Sequence, residues 1–143
     1  MFARVDHIGV AVEDLDAAIA LHEQAYGMAV AHREVVDEQG VEAVLLDVGE
    51  NHVELLRPLS DETPVGRFLT KRGPGLHHLC YACADVHAEA ERLAGKGLSE
   101  IALPRTADGR RTVAFFHPRG TGGVLTELVP VRRDQVRPPS SSL

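Results

Sequence analysis

The chain has 143 residues, 44% hydrophobic and 25% charged, which suits one compact domain with a buried core. Its formal net charge of −6 argues against a nucleic-acid or anionic-membrane partner, and 4% aromatic content with no Trp offers no stacking platform for bases. No apolar run is long enough to span a bilayer, the N-terminus lacks a basic-then-apolar leader, and two cysteines are too few for a disulfide framework, so a reducing cytoplasm is the expected compartment.

Residues 4–12 alternate as a half-buried strand, with Ile8, Val10 and Val12 on one side and His7, Gly9 and Ala11 on the other. Asp14 is a good N-cap for a helix over 15–26, with Leu15, Ala18, Ile19 and Tyr26 as its core stripe and Gly27 as its terminator. Strands are expected near 30–36, 41–48 and 51–57, joined by turns at Gln39-Gly40 and Gly49-Glu50-Asn51. Pro58 to Gly75 forms a link with Ser60 as a capping residue and a short helix near 64–71. The plan then repeats: a strand at 76–83, a helix at 86–95 capped by Asp85 and closed by Gly97, and strands near 99–103, 111–117 and 124–130. Residues 132–143, ending RPPSSSL, read as a disordered tail.

The repeat has a register. HIGVAVEDLDAA at 7–18 matches HLCYACADVHAE at 78–89, aligning His7 with His78, Ala11 with Ala82 and Asp14 with Asp85. A second echo aligns Val53-Glu54-Leu55 with Thr126-Glu127-Leu128. The expected fold is α+β: two tandem βαβββ modules, about 4–59 and 76–131, forming a curved mixed sheet that lines a cleft. The expected domain is 1–131, with a linker helix in 60–75. In such a fold the inward residues of matching strands meet, so His7, Glu54, His78 and Glu127 become candidates for one site. Two imidazoles and two carboxylates suit a divalent ion such as Co²⁺, Mn²⁺, Ni²⁺, Zn²⁺ or Fe²⁺. Any one of the four taken alone reads as an ordinary solvent-facing strand residue; their repeat-matched placement favours the metal. His77 competes with His78, and the repeat selects His78, because adjacent strand residues face opposite sides.

The phrases DHIGVAVEDLDAA, DEQGVEAVLLDVG, VELLRPLS, GPGLHHLCY and FFHPRGTGGVLTELV, in this order over residues 4–131, resemble the methylmalonyl-CoA epimerases. These belong to the vicinal-oxygen-chelate superfamily, with glyoxalase I and the extradiol dioxygenases. The resemblance implies the metal ligands His7, Glu54, His78 and Glu127 and one divalent ion, Co²⁺ first. It also implies a CoA thioester substrate and a homodimer. The implied reaction interconverts (2R)- and (2S)-methylmalonyl-CoA by removing the C2 proton, with the metal stabilising the enolate. Inversion needs proton carriers on both faces of C2. Glu38 and Glu127 match those positions, and Glu127 is thereby asked to ligate the metal as well.

Gly120, Thr121, Gly122 and Gly123 offer backbone N–H groups to the substrate carboxylate, or form only a hairpin turn. Arg67, Lys71, Arg72, Arg105, Arg110 and Arg111 are the cations available for the CoA phosphates. Cys80 and Cys83 form a C-x-x-C whose ends face opposite sides of a strand, so both are expected to pack as small residues. His52 stands two residues before Glu54, so it either shares that face as a group supporting the ligands or serves as a hairpin residue. Two rival functions share the fold: a glyoxalase I-like lyase, and a binding protein that sequesters an antibiotic without metal.

Overall fold

The computed structural model describes residues 1–131; the expected tail lies outside them. The period-two pattern yields eight strands, and the two strongest helical patterns plus the linker yield three helices. In chain order these are β1 (Phe2–Ala11), α1 (Leu15–Gln24), β2 (Ala29–Val36), β3 (Val41–Val48), β4 (Asn51–Pro58), α2 (Pro64–Arg72), β5 (Gly75–Cys83), α3 (Val86–Gly95), β6 (Glu100–Ile101), β7 (Ala114–Phe116) and β8 (Thr126–Pro130). The chain divides into two compact units within β1 and β5: His7–Leu79, and Met1–Asp6 with the residues from Cys80 on.

In the first of these units the strands run in the order β2-β3-β4-β1. β2 to β4 are antiparallel neighbours, and β1 lies parallel to β4. Gly49, at φ 58°, opens the two-residue turn between Val48 and Asn51, where a positive φ suits the twist of a hairpin. Strand alternation separates the two faces. Val10, Val12, Val44, Leu46, Val53 and Leu55 pack against Leu15, Ala18 and Ile19 of α1. Ala11, Val41, Ala43 and Leu56, from the opposite face, pack against Val65, Phe68 and Leu69 of α2. Three cross-strand charges tie the α1 face together: Glu42 accepts from Arg33 at 3.0 Å and from Arg57 at 2.9 Å. Those hydrogen bonds, Arg33 first, hold the Glu42 carboxyl below its ordinary range.

The second unit repeats the plan with the strand order β5-β8-β7-β6. Its core is Cys83, Val86, Ala90, Ala114, Phe116 and Leu128. Asp14 and Asp85 both cap as expected, each accepting an N–H three residues on at 3.0 Å.

Three local expectations change. Tyr26 is not a core residue: α1 stops at Gln24, Met28 N–H closes back on His22, and Tyr26 stands 58% exposed with its ring edge-on to His22. Thr63, not Ser60, caps α2, accepting from Gly66 N–H at 3.1 Å; Pro64 at the first helical position suits that start. β6 and β7 are two and three residues long. Between them Thr106 N–H bonds to Arg110 carbonyl at 3.1 Å, and Gly109 takes φ 80°, a tight turn that removes residues 102–113 from the ladder.

Candidate metal centre and active site

The candidate site lies on the α2 face of the first unit. The parallel register of β1 on β4 sets His7 beside His52 and Gly9 beside Glu54. Neighbours in register project to the same side, so His7, His52 and Glu54 share one face with the open position at Gly9. The His78 ring occupies that opening: a methyl group on Gly9 would overlap the imidazole. The absence of a side chain at Gly9 is what lets a β5 histidine reach the β1–β4 pair.

The result is a compact donor set. Nε2 of His7 lies 3.0 Å from Nε2 of His78, and Oε1 of Glu54 lies 3.5 Å and 3.8 Å from these two atoms. Both imidazoles are buried, while the Glu54 side chain keeps 21% of its surface. The three donor atoms all lie within 4.8 Å of one another. Two neighbouring ligands at about 2.0–2.1 Å from one ion stand about 3 Å apart. The histidine pair meets that spacing, and the nitrogen–oxygen donor set suits a first-row divalent ion.

The other predicted site residues are placed as follows. Glu127 belongs to the second unit, on β8, paired in register with Phe115 and buried at 6% exposure. Glu38 is exposed on the single 3₁₀ turn Asp37–Gln39 between β2 and β3. That turn is anchored: Gly40 has φ 68°, a methyl there would overlap Thr63, and Gly40 carbonyl accepts Leu59 N–H at 2.8 Å. In the loop after β7, Gly120 N–H donates to His117 carbonyl, while Thr121 and Gly123 N–H both donate to Pro118 carbonyl. Arg119 N–H donates to Nδ1 of His117 at 3.1 Å. Of the backbone N–H groups of residues 119–123, four are bonded within the loop and that of Gly122 is not.

The candidate phosphate cations also sort by environment. Arg111 is 7% exposed and bonds Glu100 and Glu91 at 2.7 Å, and those hydrogen bonds raise its pKa. Arg110 reaches Asp85 at 3.4 Å and Arg105 reaches Glu100 at 3.7 Å. Arg67 donates to Glu62 carbonyl at 2.6 Å, and Arg72 lies 5.9 Å over the Phe68 ring. Cys80 and Cys83 are not joined in a disulfide and are fully buried, and burial pushes the Cys83 thiol up. His52 bonds Asp47 at 3.1 Å across the same rung of the β3–β4 hairpin.

Two residues stand against the histidine cluster in ways that sequence reasoning missed. Gly9 was read only as a face of β1. His77 was read only as a rejected ligand, yet its Nδ1 lies 2.9 Å from Nδ1 of His78. The HH pair was the available signal for the second; nothing in the sequence alone points to the first.

Comparison with known proteins agrees with this geometry. The Glyoxalase/Bleomycin resistance protein/Dioxygenase superfamily matches residues 6–115. An ethylmalonyl-CoA/methylmalonyl-CoA epimerase of Cereibacter sphaeroides is 33% identical over 131 residues, spanning 90% of this chain and 98% of that one. A methylmalonyl-CoA epimerase solved in complex with methylmalonyl-CoA and NH₄⁺ is 37% identical with a TM-score of 0.83, over 93% of this chain and 97% of that one. A substituted Streptomyces coelicolor methylmalonyl-CoA epimerase, solved in complex with 2-nitronate-propionyl-CoA, is 37% identical with a TM-score of 0.82 over the same shares. The α+β mixed-sheet fold expected from the repeat is therefore the fold of these enzymes, and the chain belongs to the Glyoxalase/Bleomycin resistance protein/Dioxygenase superfamily and, within it, to the methylmalonyl-CoA epimerases.

Proposed function

We infer that this chain is an epimerase that interconverts (2R)- and (2S)-methylmalonyl-CoA. The observation that carries the reading is the likeness, over more than nine-tenths of the chain, to an epimerase solved with methylmalonyl-CoA. The cluster of His7, Glu54 and His78 supports it, because enolising a thioester calls for an electrophile beside the oxygen that gains charge.

C2 of the substrate lies between a thioester and a carboxylate, so its proton is the acidic one. His7, Glu54 and His78, with Glu127 as the fourth ligand in our reading, would hold a divalent ion, and such an ion would supply a Lewis acid for the charge that develops on the thioester oxygen. In our reading Glu38 and Glu127 stand on opposite faces of C2, one taking the proton and the other returning it. Glu38 is suited to this because it is exposed and, among the described residues, holds no ion pair that substrate would have to break. Gly122 N–H is the group of the 120–123 loop we assign to the substrate carboxylate, with Gly120, Thr121 and Gly123 shaping the turn that presents it. Co²⁺ is the ion we put first, ahead of Mn²⁺, Ni²⁺, Zn²⁺ and Fe²⁺. The proposal includes a homodimer, testable by sedimentation, and a cytoplasmic location.

The test is NMR of methylmalonyl-CoA in deuterated water with protein loaded with Co²⁺. Deuterium should enter C2 and both epimers should form from either one. Absence of exchange in protein that has taken up a stoichiometric ion would sink the assignment.

A further inference from the structure

We propose that His77 is a positioning residue for the metal centre: its Nδ1 accepts the Nδ1–H of His78 and so fixes the tautomer that turns Nε2 of His78 towards the ion. The inference rests on the metal centre proposed above and adds a residue outside its ligand set.

Three observations lead to it. First, the two ring nitrogens of His78 face different partners. Nε2 meets Nε2 of His7 at 3.0 Å, and Nδ1 meets Nδ1 of His77 at 2.9 Å. Second, a neutral imidazole carries one N–H and one lone pair. If Nε2 of His78 gives its lone pair to an ion, its Nδ1 must be the donor, and His77 must accept with a bare Nδ1. His77 is then the tautomer protonated at Nε2. Third, the His77 ring is itself held. It stands edge-on to Phe68, with centroids 4.9 Å apart and planes at 80°. Phe68 packs on the core cluster of Val41, Ala43, Leu56 and Val65.

Strand alternation alone sends residues 77 and 78 to opposite faces. Nδ1 is the ring nitrogen nearer the backbone, so two adjacent rings can still meet through Nδ1 at the strand's edge, leaving each Nε2 pointing away. Metal-bound histidines almost always donate their second ring N–H to a fixed acceptor, which orients the ring and raises its basicity. Here the acceptor is the neighbouring residue, and the linker helix α2 sets its ring.

The experiment uses the full chain with uniformly ¹⁵N-labelled histidine, loaded with diamagnetic Zn²⁺. Long-range ¹H–¹⁵N correlation should show His78 protonated at Nδ1 and His77 protonated at Nε2. In parallel, competition with a chromogenic chelator measures Co²⁺ affinity. His77→Phe keeps the ring on Phe68 but removes the acceptor, and should weaken Co²⁺ binding by about 10–100-fold. His77→Asn restores an acceptor near the Nδ1 position and should recover most of that loss. A His77 protonated at Nδ1 in the Zn²⁺-loaded protein, or a His77→Phe affinity equal to wild type, overturns the positioning role while leaving the metal centre standing. Wild-type protein that takes up neither ion overturns the metal centre and this inference with it. The tautomer measurement on wild type decides the matter even if His77→Phe fails to fold.

Discussion

A single missing side chain shapes the candidate site. Gly9 sits in register with Glu54 and two residues beyond His7, and the His78 imidazole fills the space a Cβ would take. Gly9→Ala should therefore push His78 away from His7 and Glu54. Metal content measured after loading should fall sharply, and overpacking should cost about 1–3 kcal/mol in a urea melt. Full metal uptake by Gly9→Ala would show that the ring moves aside without losing its role. Glu38 calls for the opposite pattern. Its turn is anchored by Gly40 against Thr63 and by Leu59, and its own side chain is exposed. Glu38→Gln should leave fold and metal content intact and slow C2 exchange by about 10²–10⁴-fold. Unchanged exchange from both epimers removes Glu38 from the mechanism.

At the scale of the element, capping and pH are linked. Asp85 accepts Ala88 N–H at the start of α3, and that hydrogen bond holds its carboxyl below its ordinary value of 3.8. A carboxyl whose folded pKa is depressed stabilises the fold above its unfolded pKa and stops doing so as pH falls through the folded value. Asp85→Ala should lower the melting temperature at pH 7, and the deficit should shrink once the pH drops below about 4. A deficit that persists undiminished at pH 2 would place the cap's contribution elsewhere. Helix α2 shows how an element takes a role the sequence hides. Its pattern read as a linker, yet it supplies Val65, Phe68 and Leu69 to the core and sets Phe68 against His77.

At the scale of the molecule, the core is not one pool of apolar residues. Phe116 and Leu128 anchor the cluster of one unit, and Leu46 and Leu55 anchor a cluster of the other. Phe116→Ala should cost about 3–5 kcal/mol and Leu55→Ala about 2–5 kcal/mol, read from urea midpoints. Values well under 1 kcal/mol would mean the surrounding residues collapse into the space. The repeat is visible at this scale too: the strand orders β2-β3-β4-β1 and β6-β7-β8-β5 are the same plan carried out twice.

The sequence by itself determined most of the elements. Period-two alternation, Asp14, Asp85 and the glycines of the turns act locally, and a local rule needs only neighbours in the chain to be read. The repeat also singled out His7, Glu54, His78 and Glu127, because matched strands place matched residues, and the structure clusters the first three. It over-read Tyr26 and the lengths of β6 and β7, where a turn's hydrogen bonds outweigh apolar periodicity. Only the tertiary structure decided that Gly9 is the opening for His78, that Arg111 is committed to Glu100 and Glu91, and that His77 meets Nδ1 of His78. Each of these depends on register and ring orientation, which are fixed by packing between elements distant in the chain.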